Sequence, residues 1–272
     1  MFKASLIISF YKKIDFLKPV IASLQRQSES SFEVLISDDG SPTEIVDEVK
    51  RILDESGLSY QYIWHADNGW QKNIILNKSV VASKSDLLIF IDAVGILHHK
   101  FVEEHIGMSE TGFVSGGRRV NLSPRVSSKI LAGQAGSSYY NSAILLDLLM
   151  DSLQGNARDL EQGIYVKNNF VRSFLNDKDR SIKGCNFSIH KEDLLKINGF
   201  DERFDQPAYG EDTDIEARLR RGGVKFLGIR NQAIQYHLYH KQLPRPESNR
   251  FIYEENNALG VIYTPYGIKK PD

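Results

Sequence analysis

The segment from residue 6 to residue 92 alternates short apolar runs with longer amphipathic stretches. The nearly continuous apolar run at 6–10 predicts a strand buried on both faces. Further short runs rich in apolar residues predict strands at 32–37, 60–64 and 86–92. Apolar residues at helical spacing predict helices at 14–27, 44–56 and 72–83. Because strands that alternate with helices pair in parallel, we expect an α/β fold with a mostly parallel central sheet flanked by helices.

The second half of the chain is less regular. Strands are expected at 184–189 and 224–229, and helices at 143–153, 191–198 and 215–221. Residues 112–136 indicate strand and loop, residues 156–179 resist assignment, and the stretch after residue 243 has no periodicity. Because no internal repeat, low-complexity tract or linker divides the chain, residues 1–272 are expected to form a single domain.

Composition limits the classes of partner and compartment. The net charge of -1 argues against capture of nucleic acid by a broad basic surface. Cys185 is the only cysteine, so the chain forms no internal disulfide, which suits a reducing compartment. The apolar run near the N-terminus is too short for a signal peptide or a spanning helix. We therefore expect a cytoplasmic protein, while association with a membrane surface stays open.

Polar side chains follow the predicted strands at the edge where such sheets bind ligands, beyond the carboxyl ends. Ser9, Tyr11, Asp39 and Asp92 fall there. The run DDGS at 38–41 is typical of a turn with a capping Asp, the more common outcome for these residues. The alternative is a carboxylate that accepts a hydrogen bond from a nucleotide base. A single acid at a strand end, such as Asp92, is often a cap. A pair of acids there could bind a hard divalent cation, but the position two residues on is Val94, which cannot be a ligand.

Two further groups of residues are candidates for chemistry. Glu211, Asp212 and Asp214 crowd the start of a predicted helix, where acids complement the helix dipole. They exceed what capping needs, and crowded like charges make a carboxylate a better general base. His237 and His240 would share one face of a helix but not of a strand. Packed or surface histidines are the more common outcome, since a metal site needs carboxylates from elsewhere.

These pieces occur in an order that resembles family 2 glycosyltransferases of the GT-A fold. The second half is similar to the branch that includes galactosyltransferases and chondroitin-type polymerases. DDGS alone is weakly specific, whereas GFDERF followed by GEDTDIEARL is highly specific. The matching segments, between residue 3 and about residue 240, are IISFY (7–11), ISDDGS (36–41), NGWQK (68–72), LNK (76–78), FID (90–92), GCNFS (184–188), GFDERF (199–204), GEDTDIEARL (210–219) and YH (236–237).

The resemblance implies an inverting transfer from a nucleotide-sugar, usually a UDP-sugar, to a hydroxyl of a saccharide or lipid-linked saccharide. It implies a nucleotide-binding half at 1–100, an acceptor and catalytic half at 101–245, and a C-terminal tail at 246–272. A role in bacterial surface polysaccharide or lipopolysaccharide synthesis follows by family analogy only. The oligomeric state stays open.

The resemblance also implies roles for individual residues. Asp212 matches the catalytic base. A divalent metal, Mn²⁺ or Mg²⁺, is expected on Asp92 and His237, with His240 as the second choice for the histidine. The nucleotide is expected to be held by Ser9, Tyr11, Asp39, Lys72 and Asp92, and the sugar or acceptor by Trp70, Asn186 and Glu211. Arg118 and Arg119 either meet an anionic acceptor or form a solvated strand edge, and the second is the more common outcome.

Val94 departs from the family's pattern, which expects the second acid of an Asp-x-Asp motif there. Three interpretations stay open: a metal held by Asp92, His237 and the diphosphate; a metal-independent enzyme with Lys72 or an arginine at the diphosphate; and a catalytically silent nucleotide-sugar-binding protein. The retained Asp212 favours an active transferase. A nicotinamide-dependent oxidoreductase is disfavoured, because no G-x-G-x-x-G follows the first strand.

Overall fold

The fold is seen in a computed structural model, which describes residues 1–135, 139, 143–153, 160–175, 181–207, 211–241 and 246–270. The strands are β1 (Ala4–Phe10), β2 (Phe32–Asp38), β3 (Tyr60–Trp64), β4 (Leu87–Asp92), β5 (Gly95–Leu97), β6 (Phe113–Gly116), β7 (Arg118–Asn121), β8 (Asn186–His190), β9 (Lys225–Gly228) and β10 (Ile234–His237). The helices are α1 (Ile14–Leu24), α2 (Thr43–Ser56), α3 (Lys72–Ala82), α4 (Phe101–Gly107), α5 (Pro124–Leu131), α6 (Ala143–Leu153), α7 (Asn169–Leu175), α8 (Lys191–Lys196), α9 (Glu211–Arg221) and α10 (Ser248–Ala258). A 3₁₀ turn spans Leu160–Gly163.

The expected α/β architecture is confirmed. The described strands form a seven-stranded sheet in the order β3-β2-β1-β4-β8-β6-β9. The pairs among β1 to β4 are parallel, as is β6 with β9, whereas β8 runs antiparallel to both β4 and β6. Strands β1, β2 and β4 therefore deliver their carboxyl ends to one edge of the sheet.

Alternate residues of the central strands build two separate cores. Leu6 and Ile8 of β1 join an apolar cluster with α1 and α2, whereas Ile7 joins a second cluster with α3 and α9. Successive strand residues point to opposite faces, so a strand that is apolar at every position must be covered on both sides. This is the physical reason that the continuous apolar runs in the sequence mark central strands.

A second sheet begins directly behind the end of β4. It has three strands in the order β5-β10-β7. Pairing of β10 sets His237 opposite Gly95 of β5 and Gln235 opposite Arg119 of β7. The backbone N–H of Leu238 also donates to the carbonyl oxygen of Val94 at 2.9 Å. Three distant parts of the chain thus meet near the carboxyl end of β4.

The stretch after residue 243 is more regular than its sequence pattern indicates. It contains α10, whose buried residues are the amides Asn249 and Asn256 rather than apolar side chains. Asn198 fixes the following segment, because its Nδ2 donates to the carbonyl oxygens of Thr264 at 2.7 Å and Lys269 at 2.9 Å. The buried face is polar, so an apolar periodicity could not have revealed this helix.

A buried ion pair fixes α9 against α10. The Nε of Arg218 donates to Asp214 Oδ2 at 2.7 Å, and both side chains are almost completely buried. The other oxygen of Asp214 accepts from Asn256 Nδ2 at 2.9 Å, while Arg218 Nη1 donates to the carbonyl oxygen of Ile197 at 2.9 Å. Helix α9, whose first turn contains the candidate base Asp212, is therefore held by charge and hydrogen bonding as well as by apolar packing.

Within the described ranges, no helix is both long enough and apolar enough to span a bilayer.

Replacing Asp214 by Ala is expected to lower the free energy of unfolding by about 3–5 kcal/mol, because it leaves the Arg218 guanidinium buried without its partner. Urea unfolding measures the change. Glu254→Ala is the matched control, since it breaks an exposed pair with Arg250 at the same sequence spacing and should cost about 0–1 kcal/mol. Equal losses in the two variants would contradict the role given to the buried pair.

Candidate functional site

A cavity of about 360 Å³ opens at the carboxyl ends of β1, β2 and β4. It is lined by residues 9–11, 13, 37, 39, 69, 70, 72, 75, 92–94 and 240. The cavity therefore brings together the expected site residues Ser9, Tyr11, Asp39, Trp70, Lys72 and Asp92, with His240 beside them. Lys13 also lines the cavity, and sequence reasoning missed it. Its place two residues after Tyr11, in the turn after β1, was the available signal.

The two acids at the end of β2 have different surroundings. Asp38 is completely buried and accepts hydrogen bonds from Ser41 N at 2.9 Å, Ser41 Oγ at 2.7 Å and the Tyr62 hydroxyl at 2.5 Å. Asp39 lines the cavity, with Oδ1 at 2.8 Å from His65 Nε2 and Oδ2 accepting from Gln71 N at 3.0 Å. Asp38 thus has the turn role that its sequence suggested, and Asp39 alone faces the cavity.

Burial dominates the electrostatics of Asp39. It raises the pKa of the carboxyl, although the hydrogen bonds from His65 and Gln71 act in the opposite direction. The ionised group is therefore under-solvated, and it gains from any further donor that enters the cavity. An N–H at the edge of a nucleotide base is such a donor.

Gly40 allows close approach of the loop that contains Asp67, the hydrogen-bond partner of Tyr11. Its φ is +96°, and a Cβ added there would lie 2.5 Å from Asp67 Cα. Only glycine fits such a backbone position without strain. Asp67 in turn accepts hydrogen bonds from the Tyr11 hydroxyl at 2.8 Å and from Lys12 Nζ at 3.0 Å. The ring of Tyr11 thereby becomes part of the cavity wall while remaining exposed.

An ion pair occupies the end of β4. Lys72, the first residue of α3, places Nζ 3.2 Å from Asp92 Oδ1. Burial disfavours the ionised form of Asp92, but the charge of Lys72 outweighs it with contributions from His237 and Arg119, so the pKa lies below its usual value. Asp92 is therefore a carboxylate surrounded by cationic and imidazole side chains.

Arg119 belongs to this cluster, which sequence reasoning did not foresee. Its guanidinium is half-buried, and Nη1 donates to Cys185 Sγ at 3.5 Å. Burial, together with the charge of Asp92, raises the pKa of the Cys185 thiol to about 11, so the sulfur carries no charge at neutral pH. The placement follows from the pairing of β7 with β10, a contact between distant segments that leaves no local signal in the sequence.

Asp212 is not among the residues that line the cavity. It is half-buried in the first turn of α9, and its Oδ2 accepts a hydrogen bond from Gly184 N at 3.3 Å. Gly184 is adjacent in the chain to Cys185, the residue that contacts Arg119. Glu211 begins α9, but its side chain lies outside the described residues.

The expectation that Asn186 lines a sugar pocket does not fit its position. The side chain is completely buried. Its Nδ2 donates to the carbonyl oxygens of Arg118 at 2.8 Å and Ala233 at 3.0 Å, and its Oδ1 lies 3.0 Å from His105 Nε2. All the polar atoms of the amide are thus used within the protein, where they tie the two sheets together.

The residues near Asp92 do not suit a divalent cation. Burial and the charge of Arg119 lower the pKa of His237 to about 4, so its imidazole is neutral at pH 7, the form that ligates metal, but one histidine does not complete a site. In the part of the chain that the structure describes, no three His, Cys, Asp or Glu side chains form a group that could hold a metal. Mg²⁺ and Mn²⁺ prefer several oxygen ligands, whereas this end of β4 supplies one carboxylate that is already paired with Lys72.

Two family models match the chain. The one described as Glycosyl transferase family 2 matches residues 5–157, more than half of the sequence. The one described as N-terminal domain of galactosyltransferase matches residues 170–241. A search of curated proteins finds no match.

The fold resembles that of solved GT-A glycosyltransferases. Mannosyltransferase PcManGT from Pyrobaculum calidifontis, in complex with GDP-Man and Mn²⁺, aligns with a TM-score of 0.58 and 12% identity over 88% of this chain and 58% of that one. S. aureus TarS aligns with a TM-score of 0.62 and 11% identity over 95% of this chain and 39% of that one. S. aureus TarS 1–349 aligns with a TM-score of 0.59 and 12% identity over 96% of this chain and 65% of that one. This chain spans less than two thirds of each of them, and identities this low establish the GT-A fold alone.

Asp39→Asn is expected to leave the free energy of unfolding at pH 7 unchanged or higher. Because the folded carboxyl has a raised pKa, its ionised form opposes folding at pH values above that pKa, and a neutral amide removes this effect. Uridine affinity should fall at least about 10-fold with the loss of a charge-assisted hydrogen bond. Thermal unfolding and uridine titration measure the two effects.

Asp38→Asn is the control for that variant, because its carboxylate accepts three internal hydrogen bonds. It should lower the free energy of unfolding by about 1–3 kcal/mol. A loss of stability in Asp39→Asn as large as in Asp38→Asn would contradict the division of roles between the two acids.

Proposed function

Because the chain belongs to glycosyl transferase family 2 and is a glycosyltransferase, we propose that it moves a sugar from a UDP-sugar to an acceptor hydroxyl with inversion at the anomeric carbon. The observation that carries the proposal is the cavity at the carboxyl ends of β1, β2 and β4. Its position is where open α/β sheets bind ligands. It joins an under-solvated carboxylate, an exposed tyrosine ring and a lysine–carboxylate pair in one space.

The nucleoside is proposed to lie between Tyr11 and Asp39. The Tyr11 ring offers a flat apolar face for a base. Asp39 offers a buried acceptor, which suits the N–H that uracil carries between its two carbonyl groups. Ser9 and Asp92, which are neighbours across β1 and β4, are proposed to meet the ribose and the start of the diphosphate. The sugar then projects past Trp70.

The reaction is proposed as a single displacement. The acceptor oxygen forms a bond to the anomeric carbon while the bond from that carbon to the diphosphate oxygen breaks, and the diphosphate keeps the electron pair. Asp212 takes the proton of the acceptor hydroxyl as general base. Gly184 N donates to its Oδ2 at 3.3 Å, and the Thr213 hydroxyl makes a long hydrogen bond of 3.4 Å to its Oδ1, the oxygen proposed to take the proton. Glu211, the preceding residue, is proposed to contact the acceptor.

The acceptor is proposed to be a saccharide or a lipid-linked saccharide used in surface polysaccharide synthesis. The reaction would take place in the cytoplasm, at the inner face of the membrane where a lipid-linked acceptor is used. The support for this part is analogy within the family.

One observation favours a second candidate function. Val94 stands where the family carries the second acid of Asp-x-Asp, which would suit a protein that binds a nucleotide-sugar without turnover. The two candidates agree on nucleotide binding and differ on catalysis.

A panel of UDP-, GDP-, dTDP- and CDP-sugars tests the donor. UDP-sugars are expected to raise the midpoint of thermal unfolding and to be hydrolysed slowly, because water can replace the acceptor. Thermal unfolding and nucleotide release measure both effects. A response confined to GDP-sugars would reject uracil as the base, and binding without release of nucleotide from any donor would favour the silent protein.

Asp212→Asn tests the base. It is expected to lower kcat at least about 100-fold, the typical contribution of a general base, while UDP affinity stays within about 2-fold. Asp205→Asn, a neighbouring exposed acid, is the matched control and should retain full turnover. Unchanged turnover in Asp212→Asn would assign the base to another residue.

A further inference from the structure

We propose that Lys72 and Arg119 neutralise the departing diphosphate in place of a divalent cation, so that the enzyme works without metal. This inference rests on the proposed function, because it concerns the same nucleotide site. Lys72 and Asp92 line the cavity, whereas Arg119 is linked to it through its charge interaction with Asp92. Of the three interpretations that Val94 leaves open, it selects the metal-independent one, and it identifies Arg119 as the arginine at the diphosphate.

The first step concerns the charges at the end of β4. Lys72 and Arg119 contribute two positive charges near the single carboxylate of Asp92. A further dication there would meet a net positive environment and would have to displace Lys72 Nζ from 3.2 Å. A diphosphate would meet the opposite sign. With Val94 in the cavity wall, the site is electrostatically complementary to the leaving group rather than to a metal.

The second step concerns the reach of Lys72. It lies at the first position of α3, and both it and Asp92 line the cavity. The ammonium therefore lies next to the acid at the wall of the space that the nucleotide is proposed to fill. Lysine carries its charge on a flexible stem, so Nζ can approach a phosphate oxygen while it remains close to Asp92.

The third step concerns the hydrogen-bonding capacity of Arg119. A guanidinium has five donors, and among the described residues the one hydrogen bond found for its side chain is the 3.5 Å contact to Cys185 Sγ. A neutral thiol is a weak acceptor. Phosphate oxygens are much stronger acceptors, and they match the geometry of the guanidinium in a bidentate arrangement.

The chemistry needs no further reactant. When the bond between the anomeric carbon and the diphosphate breaks, negative charge grows on the departing oxygens. Donors that are already in place stabilise this charge without reorganisation. Two monovalent side chains supply the same total charge as one divalent ion. The proton of the acceptor goes to Asp212, as in the proposed function.

The experiment is calorimetric titration of the full chain with UDP and with uridine, in EDTA and in Mg²⁺ or Mn²⁺. UDP affinity is expected to change less than about 3-fold with metal. Arg119→Gln is expected to weaken UDP at least about 10-fold and to leave uridine unchanged, which shows that the nucleoside part of the site is intact. Arg119→Lys should recover part of the loss.

Arg118→Gln is the matched control. Arg118 is the preceding residue of β7, and its guanidinium donates to the carbonyl oxygens of Gly117 and Ser181. Its UDP affinity should equal that of the unchanged protein. Val94→Asp adds the missing carboxylate, and a metal response of UDP binding is expected in that variant alone.

Each adverse outcome has its own meaning. A rise in UDP affinity of 10-fold or more when metal is added to the unchanged protein would overturn the inference. So would equal UDP affinities in Arg119→Gln and Arg118→Gln. In both cases the proposed function would stand. If neither UDP nor uridine binds the unchanged protein, the proposed function fails and the inference falls with it.

Discussion

Parallel pairing of β1 with β2 on one side and with β4 on the other is the constraint on which the site depends. The register sets Ser9 opposite both Ser37 and Asp92. A shift of one residue would move Leu6 and Ile8 into the core that now holds Ile7, so burial of both faces fixes the register. Because the three strands run in one direction, their following loops must meet at the same edge.

Much of this arrangement could be predicted because its causes are local. Continuous apolar runs identified the central strands, and helical spacing identified α1, α2 and α3 within a few residues of their ends. The carboxyl-end rule then placed Asp39 and Asp92 at one edge of the sheet, and the family resemblance added Lys72 to the same site. The separate roles of Asp38 and Asp39 needed the structure, since both follow the same strand and only their hydrogen-bond partners distinguish them.

The parts that could not be predicted depend on contacts between distant segments. Arg119 looked like a strand-edge residue until the pairing of β7 with β10 brought it to Cys185. Asn186 resembled a pocket residue, yet its hydrogen bond to the Arg118 carbonyl of β7 makes it a buried link between the two sheets. Helix α10 escaped notice because its buried residues are asparagines. Polar groups buried in pairs leave no periodic apolar signal, and their partners can lie anywhere in the chain.

Residue 94 has two independent roles, one for its backbone, which bonds to Leu238, and one for its side chain. The carbonyl oxygen of residue 94 joins the second sheet whatever side chain it bears, whereas the side chain only faces the cavity. Valine and aspartate codons differ by a single base. An exchange between them changes the charge of the cavity without removing this backbone hydrogen bond, so the link between β4 and the second sheet does not itself require valine at residue 94.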